Sequence, residues 1–165
     1  MEKIFDYEIR PARIEDAEIL APKLREIDCR EVRAMSRQEP AEALRRSLEV
    51  SSTARAAVIE GQVGLMWGIG RLGGFLGFVG SPWMLSSDII ERPDVAREFI
   101  RRSRPQAREL EAGFRRLENW VHVENAAAIR WLKWLGFSFS AEPALINGEA
   151  FYHFWRNCAG GTANV

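Results

Sequence analysis

Residues 117–137 read Leu117-Glu118-Asn119-Trp120-Val121-His122-Val123-Glu124-Asn125-Ala126-Ala127-Ala128-Ile129-Arg130-Trp131-Leu132-Lys133-Trp134-Leu135-Gly136-Phe137. Leu117 to Val123 reads as a strand. Asn125 then stands before three alanines, where its side chain can cap a helix running from Ala126 to about Leu135. Gly136 is placed to end that helix, and Phe137 to Phe139 begins another strand. The strand's period of two puts Trp120, His122 and Glu124 on one face.

Working outward, Phe5, Tyr7 and Ile9 alternate in a first strand that Pro11 ends. Ala17, Leu20, Leu24 and Ile27 recur at helical spacing from about Glu15 to Arg30, with Pro22 expected to kink that helix or split off its first turn. Pro40 opens a second helix, which stops near Ser51-Ser52. Ala54 to Ile59 and Gln62 to Ile69 form a hairpin about Glu60-Gly61. Trp83-Met84-Leu85 reads as a buried strand. A helix follows from Asp94 to Leu110, which Pro105 is expected to interrupt, and Ala150 to Trp155 is a last strand. The result is an α/β chain whose sheet is covered by about four helices.

At 165 residues the chain has the size of one domain. The expected domain is 1–156, followed by a flexible tail, 157–165, rich in Gly, Ala, Asn and Thr. Twenty-three basic residues balance twenty-three acidic ones, which argues against a protein built to neutralise nucleic-acid phosphates. No apolar run reaches the roughly 18–20 residues that span a bilayer, and the charged start does not resemble a signal peptide. Cys29 and Cys158 are the only cysteines. That excludes zinc ribbons and disulfide scaffolds and suits a reducing cytoplasm.

Gly68-Ile69-Gly70-Arg71-Leu72-Gly73 spells GxGxxG, the dinucleotide fingerprint. Its last glycine should open a helix. The residues that follow, Gly74 to Gly80, are poor helix formers, so a glycine-rich bend is the better reading. Arg97, Arg101, Arg102, Arg104 and Arg108 could receive phosphates. The interspersed Glu98, Glu109 and Glu111 favour a solvated helix face instead. His122 and Glu124 could accept a proton from an amine, or His122 could be a strand-end histidine satisfied by a neighbour.

The 117–137 stretch resembles the strand-helix-GF block of the GNAT superfamily of acyl-CoA-dependent N-acyltransferases. Tyr7-Glu8-Ile9-Arg10-Pro11-Ala12-Arg13, followed by Asp16-Ala17, is similar to that family's first strand and helix. Three blocks, Leu24 to Ala34, Val79 to Asp88 and Asn125 to Phe137, are also similar in order to a GNAT-like family of phages and prophages. That family distantly includes the internal virion protein A of short-tailed phages.

The resemblance implies a mixed sheet of six to seven strands that splays between the fourth and fifth, with acetyl-CoA in the V. Trp83, Met84 and Leu85 would offer backbone groups to the pantetheine, and Ser87 and Asn125 would line the cofactor channel. Asp28 and Glu31 would edge the substrate cleft, with Glu124 or His122, or a water, as base. Two departures stand out. The family's glycine-rich diphosphate turn is replaced by Ser86-Ser87-Asp88-Ile89-Ile90-Glu91-Arg92-Pro93-Asp94, which has no glycine and three carboxylates. Its frequent general-acid tyrosine is Leu132. Acetyl-CoA binding is therefore expected to be weak or absent. The implied functions are an N-acetyltransferase of phage or prophage origin, or a non-catalytic virion or assembly protein that binds a phage partner. The expected location is the host cytoplasm or the virion, with no membrane association and no nucleic-acid partner.

Overall fold

The computed structural model describes residues 5–74 and 76–159. Its strands are β1 (Tyr7–Pro11), β2 (Ser51–Ile59), β3 (Gln62–Leu72), β4 (Val79–Ser86), β5 (Arg116–His122), β6 (Ser138–Phe139), β7 (Ala144–Ile146) and β8 (Glu149–Asn157). Its helices are α1 (Ile14–Leu20), α2 (Glu26–Ser36), α3 (Pro40–Val50), α4 (Pro93–Glu111) and α5 (Ala126–Trp134). Short 3-10 turns occupy Ala21–Lys23 and Asp88–Glu91.

One sheet runs β1-β2-β3-β4-β5-β8-β6, with β7 paired to β8. Every pairing is antiparallel except β4 with β5, which is parallel and holds only at Val79↔Arg116 and Gly80↔Leu117. The strands separate beyond that point, where the resemblance places the V. Gly80 sits at the apex because nothing larger fits. A Cβ there would lie 2.6 Å from the Ile69 side chain and 2.9 Å from those of Leu117 and Phe114.

Three apolar clusters hold the layers together. Leu20, Val32, Leu44 and Met66 join α1, α2 and α3 to one face of the sheet. Leu65, Trp67, Ala57 and Val95 join α4 to the other face, beside β1. Leu132, Leu135, Val121 and Phe154 seat α5 on β5 and β8.

The expected helix from Glu15 to Arg30 is two helices. Pro22 lies within a 3-10 turn, and Leu24 and Arg25 are extended, with ψ of 144° and 146°. Leu24 bridges to Ser87 instead of continuing the helix. This split brings the count among the described residues to five helices, against the four expected. Pro105 does not interrupt α4, which is continuous over 19 residues. A mid-helix proline costs about 3 kcal/mol or more. Side chains just before it offset that loss: Phe99 meets the Trp131 ring at 5.1 Å, and the Ser103 hydroxyl accepts the Trp131 indole N–H at 3.0 Å. The sheet has eight strands among the described residues, not six to seven: β6 is the strand expected from Phe137 to Phe139, and β7 is too short to show a period. Gly68 and Gly70 lie inside β3 and Gly73 in a turn at φ 79°, so the GxGxxG opens no helix. Asn157 closes β8, and residues 160–165 of the expected tail lie outside the described residues.

Candidate functional site

The walls of the splay carry an unequal set of backbone groups. Ser87 N–H donates to Gly64 of β3 at 2.8 Å, so Ser86, Met84 and Pro82 turn their peptide groups the other way, toward β5. At Pro82 the carbonyl accepts the Asn119 side-chain amide across the gap at 2.8 Å. At Ser86 the N–H donates to Asp28 Oδ2 at 3.0 Å, and the carbonyl accepts the Arg25 N–H at 3.0 Å. Between these two bridges the Met84 N–H and carbonyl face the gap.

A cavity of about 390 Å³ passes through this gap. Trp83 and Trp120 flank it on the face that carries α2 and α3. Met84, Trp131 and Phe99 line it beneath α4 and α5. Its volume falls within the range of small-molecule sites. The Trp83 indole N–H is already satisfied by the Ser51 hydroxyl at 2.8 Å.

Helix α2 closes the open end of the V with two carboxylates three residues apart, which share one helix face. Asp28 is 1% exposed and holds Arg25 in a two-pronged pair at 2.9 and 3.1 Å, besides the β4 end. Burial pushes the Asp28 carboxyl up, against the pull of Arg25. Glu31 Oε1 accepts the N–H of His122, at the end of β5, at 3.0 Å, and the Asn125 side-chain amide at 2.9 Å. Burial also raises the Glu31 carboxyl; the Asn125 and His122 donors partly oppose that shift, and the nearby Asp28 adds to it. Asn125 has a second bond, accepting the Ala128 N–H at 3.3 Å as the cap of α5.

His122 is buried, and both ring nitrogens are engaged. Nε2 meets Glu149 Oε2 at 2.6 Å, and Nδ1 accepts the Glu124 backbone N–H at 3.1 Å. Glu124 itself is on the rim, paired with Arg30 at 2.7 Å. Arg30 also reaches Glu149 at 3.1 Å. His122 and Arg30 together hold the Glu149 carboxyl below its ordinary value. The fold thus gathers Glu31, His122, Glu124 and Asn125 at the end of β5. It adds Arg30 and Glu149, which sequence reasoning missed. The Asn147-Gly148 turn, with φ of 50° and 85°, positions Glu149. That dipeptide is a strong hairpin signal and would have brought Glu149 into the site.

The remaining candidates lie on β4 and just past its end. Trp83, Met84 and Leu85 all line the cavity. Ser87 faces β3: its hydroxyl reaches the Gly64 carbonyl at 3.2 Å and caps the following 3-10 turn. In that turn Ile89 and Ile90 pack against the β1–β3 face, and Ile89 covers Gly64. Helix α4 then starts at Pro93, with Asp94 in its first turn. Arg92 is committed to Glu60 and Asp94, at 2.8 and 2.7 Å, and Arg101 to Glu98 at 2.7 Å.

No family model matches the chain, and no curated protein does. Solved structures do. The ribosomal-protein-alanine N-acetyltransferase of Brucella melitensis aligns at TM-score 0.65 and 18% identity, over 92% of this chain and 99% of that one. The GCN5-related N-acetyltransferase of Kribbella flavida aligns at 0.64 and 19%, over 92% and 98%. yncA of Salmonella typhimurium, solved with its cofactor acetyl-CoA, aligns at 0.62 and 18%, over 96% and 99%. At such identities the likeness speaks for architecture, and it agrees with the β4–β5 splay and the strand-helix block at 117–137: the chain has the GNAT N-acetyltransferase fold.

Proposed function

We propose that this chain is an acyl-CoA-dependent N-acetyltransferase-like protein of phage or prophage origin that holds its cofactor weakly. The carrying observation is the Met84 peptide, open toward the gap between two engaged neighbours and inside a cavity bounded by Trp83 and Trp120. An N–H in that position can donate to a thioester oxygen as charge gathers on it. Bound acetyl-CoA would supply the activated acetyl group. The acceptor amine must be neutral to attack, and a carboxylate at the end of β5 takes its proton. Glu124 on the rim has the access for that role, while His122 would act only after releasing Glu149 or the Glu124 N–H. The phage origin rests on the likeness of the three sequence blocks.

The residues fit the thioester arm of the cofactor and not its diphosphate. Asp88, Glu91 and Asp94 bring negative charge to the start of α4, and Arg92 is neutralised by Glu60 and Asp94. A helix N-terminus normally welcomes phosphate, but a carboxylate in the first turn competes for the same amides. The groove between α4 and α5 is also filled, since Trp131 spans it to Phe99 and Ser103. These two features favour a second reading, a non-catalytic protein that uses the fold to meet a phage partner in the host cytoplasm or the virion.

Incubation of the protein with millimolar acetyl-CoA and a panel of amines, read by mass spectrometry, tests the first reading. It predicts acetylated amine, with a KM for acetyl-CoA above about 0.1 mM. Absence of any acetylated product at millimolar cofactor would leave the non-catalytic reading.

A further inference from the structure

The part of the cavity beneath α4 has a chemistry of its own. Trp67 on β3 faces α4, between its register partners Arg55 and Met84. It is 9% exposed and lines the cavity. Its Nε1–H is buried without an acceptor among the described residues. A buried donor left unpaired is costly, and native proteins rarely leave one. The Ser86 hydroxyl is buried likewise, but it adjoins the Asp28 carboxylate and calls for no ligand. Around Trp67 stand Ala57, Leu65, Met84, Val95 and Phe99. None of the polar side chains that also line the cavity, among them Glu98, Arg102, Ser103 and Gln106, accepts the Trp67 N–H.

We propose that this part of the cavity binds an apolar acyl compound, one of whose oxygens accepts the Trp67 indole N–H. A carbonyl oxygen is an acceptor only, which matches a lone donor, and an aliphatic chain matches the walls. A hydrocarbon would leave the indole unpaired. A free carboxylate would bring a charge into an apolar wall, because the nearby Arg102 is already paired with Glu98 and stacked over Tyr7. Met84 connects the two regions. Its peptide faces the splay, and its side chain lies beside Trp67 on the α4 face. The inference deepens the N-acyltransferase reading by naming an acyl chain longer than acetyl that carries a carbonyl oxygen of its own for Trp67, apart from the thioester oxygen that Met84 would hold. It depends on that reading for the transfer but not for the binding.

The test is a titration of the uniformly 15N-labelled chain with methyl hexanoate, following the six tryptophan indole resonances. Trp67→Phe identifies the Trp67 signal by its loss. Binding should move that signal saturably, and Trp67→Phe should weaken the ester's affinity about three- to tenfold. Ala57→Leu fills the same space while keeping the indole, and should abolish the shift. An unmoved Trp67 signal overturns the proposal. So does an exchange peak between that indole and water, or a shift that survives Ala57→Leu. No CoA is present, so a failed acetyl-transfer assay and a failed titration remain separate results.

Discussion

Replacing Asp28 by alanine should be the most damaging single change near the splay. Its carboxylate holds Arg25 through two bonds and the Ser86 N–H through a third, all in a position 1% exposed. Removing one member of a buried pair costs about 3–5 kcal/mol, because the partner charge is left without compensation. The Ser86 amide would be orphaned as well, and that loss is of the same kind. Arg25 is partly exposed and can turn toward water, so a value near 4 kcal/mol is expected. With a urea slope of about 2 kcal/mol/M, the midpoint should fall by about 2 M at unchanged slope. Tryptophan fluorescence would report the transition. Asp28→Asn keeps an acceptor for Ser86 and should lose less. A loss below about 1 kcal/mol for Asp28→Ala would refute the idea that α2 closes the end of β4 through this side chain.

Three further outcomes follow from neighbouring groups. Glu31→Gln keeps a carbonyl for the His122 and Asn125 donors and removes a buried charge. Because the folded Glu31 value is raised, the native state binds its proton more tightly than the unfolded chain, and this carboxyl's contribution falls as pH rises above about 4. The variant should therefore gain on the wild type between pH 4 and 7 in urea titrations, and a constant difference would contradict this. Asp16 is the opposite case. Burial alone would raise it, but two Arg10 bonds at 2.7 Å and the Arg13 N–H hold it below its ordinary value. Its contribution is complete above about pH 4 and is lost as pH falls through the lowered value, so Asp16→Asn should converge on the wild type in acid. Asn125→Ala should cost about 1 kcal/mol from the lost cap of α5, and more from the Glu31 bond. Chemical denaturation showing no loss would remove the capping role.

The fold was legible in the sequence wherever a long element had a clear period or a clean stop. Asn125, Ala126 to Leu135 and Gly136 mark a helix and its ends, and the helix is there with its Asn125 cap and with Gly136 at φ 90°. Local signals failed where tertiary contacts decided. Pro105 reads as a break, but Trp131, 26 residues later, braces the turn that precedes it. Leu24 fits the helical spacing of Leu20, yet it bridges to Ser87, just past the end of β4. At the site, Asp28, Glu31, His122, Glu124 and Asn125 were named from the residues and the resemblance, and the fold brings them to the mouth of one V. Their partners were not legible. Arg25 at the start of α2 and Arg30 on it stand among other charged residues with nothing to single them out, and Glu149 lies more than a hundred residues away, where only the Asn147-Gly148 turn pointed to it.

Calorimetric titration of the full chain with acetyl-CoA bears most directly on the central claim. On the proposed function a thioester arm would lie in the splay, while carboxylates and a spent arginine stand where the diphosphate would lie. It predicts a dissociation constant above about 0.1 mM, or no measurable heat. Micromolar binding would contradict it. It would mean that Arg92, Arg97 or Arg101 turns to the phosphates, and charge reversal at those positions would then abolish the affinity.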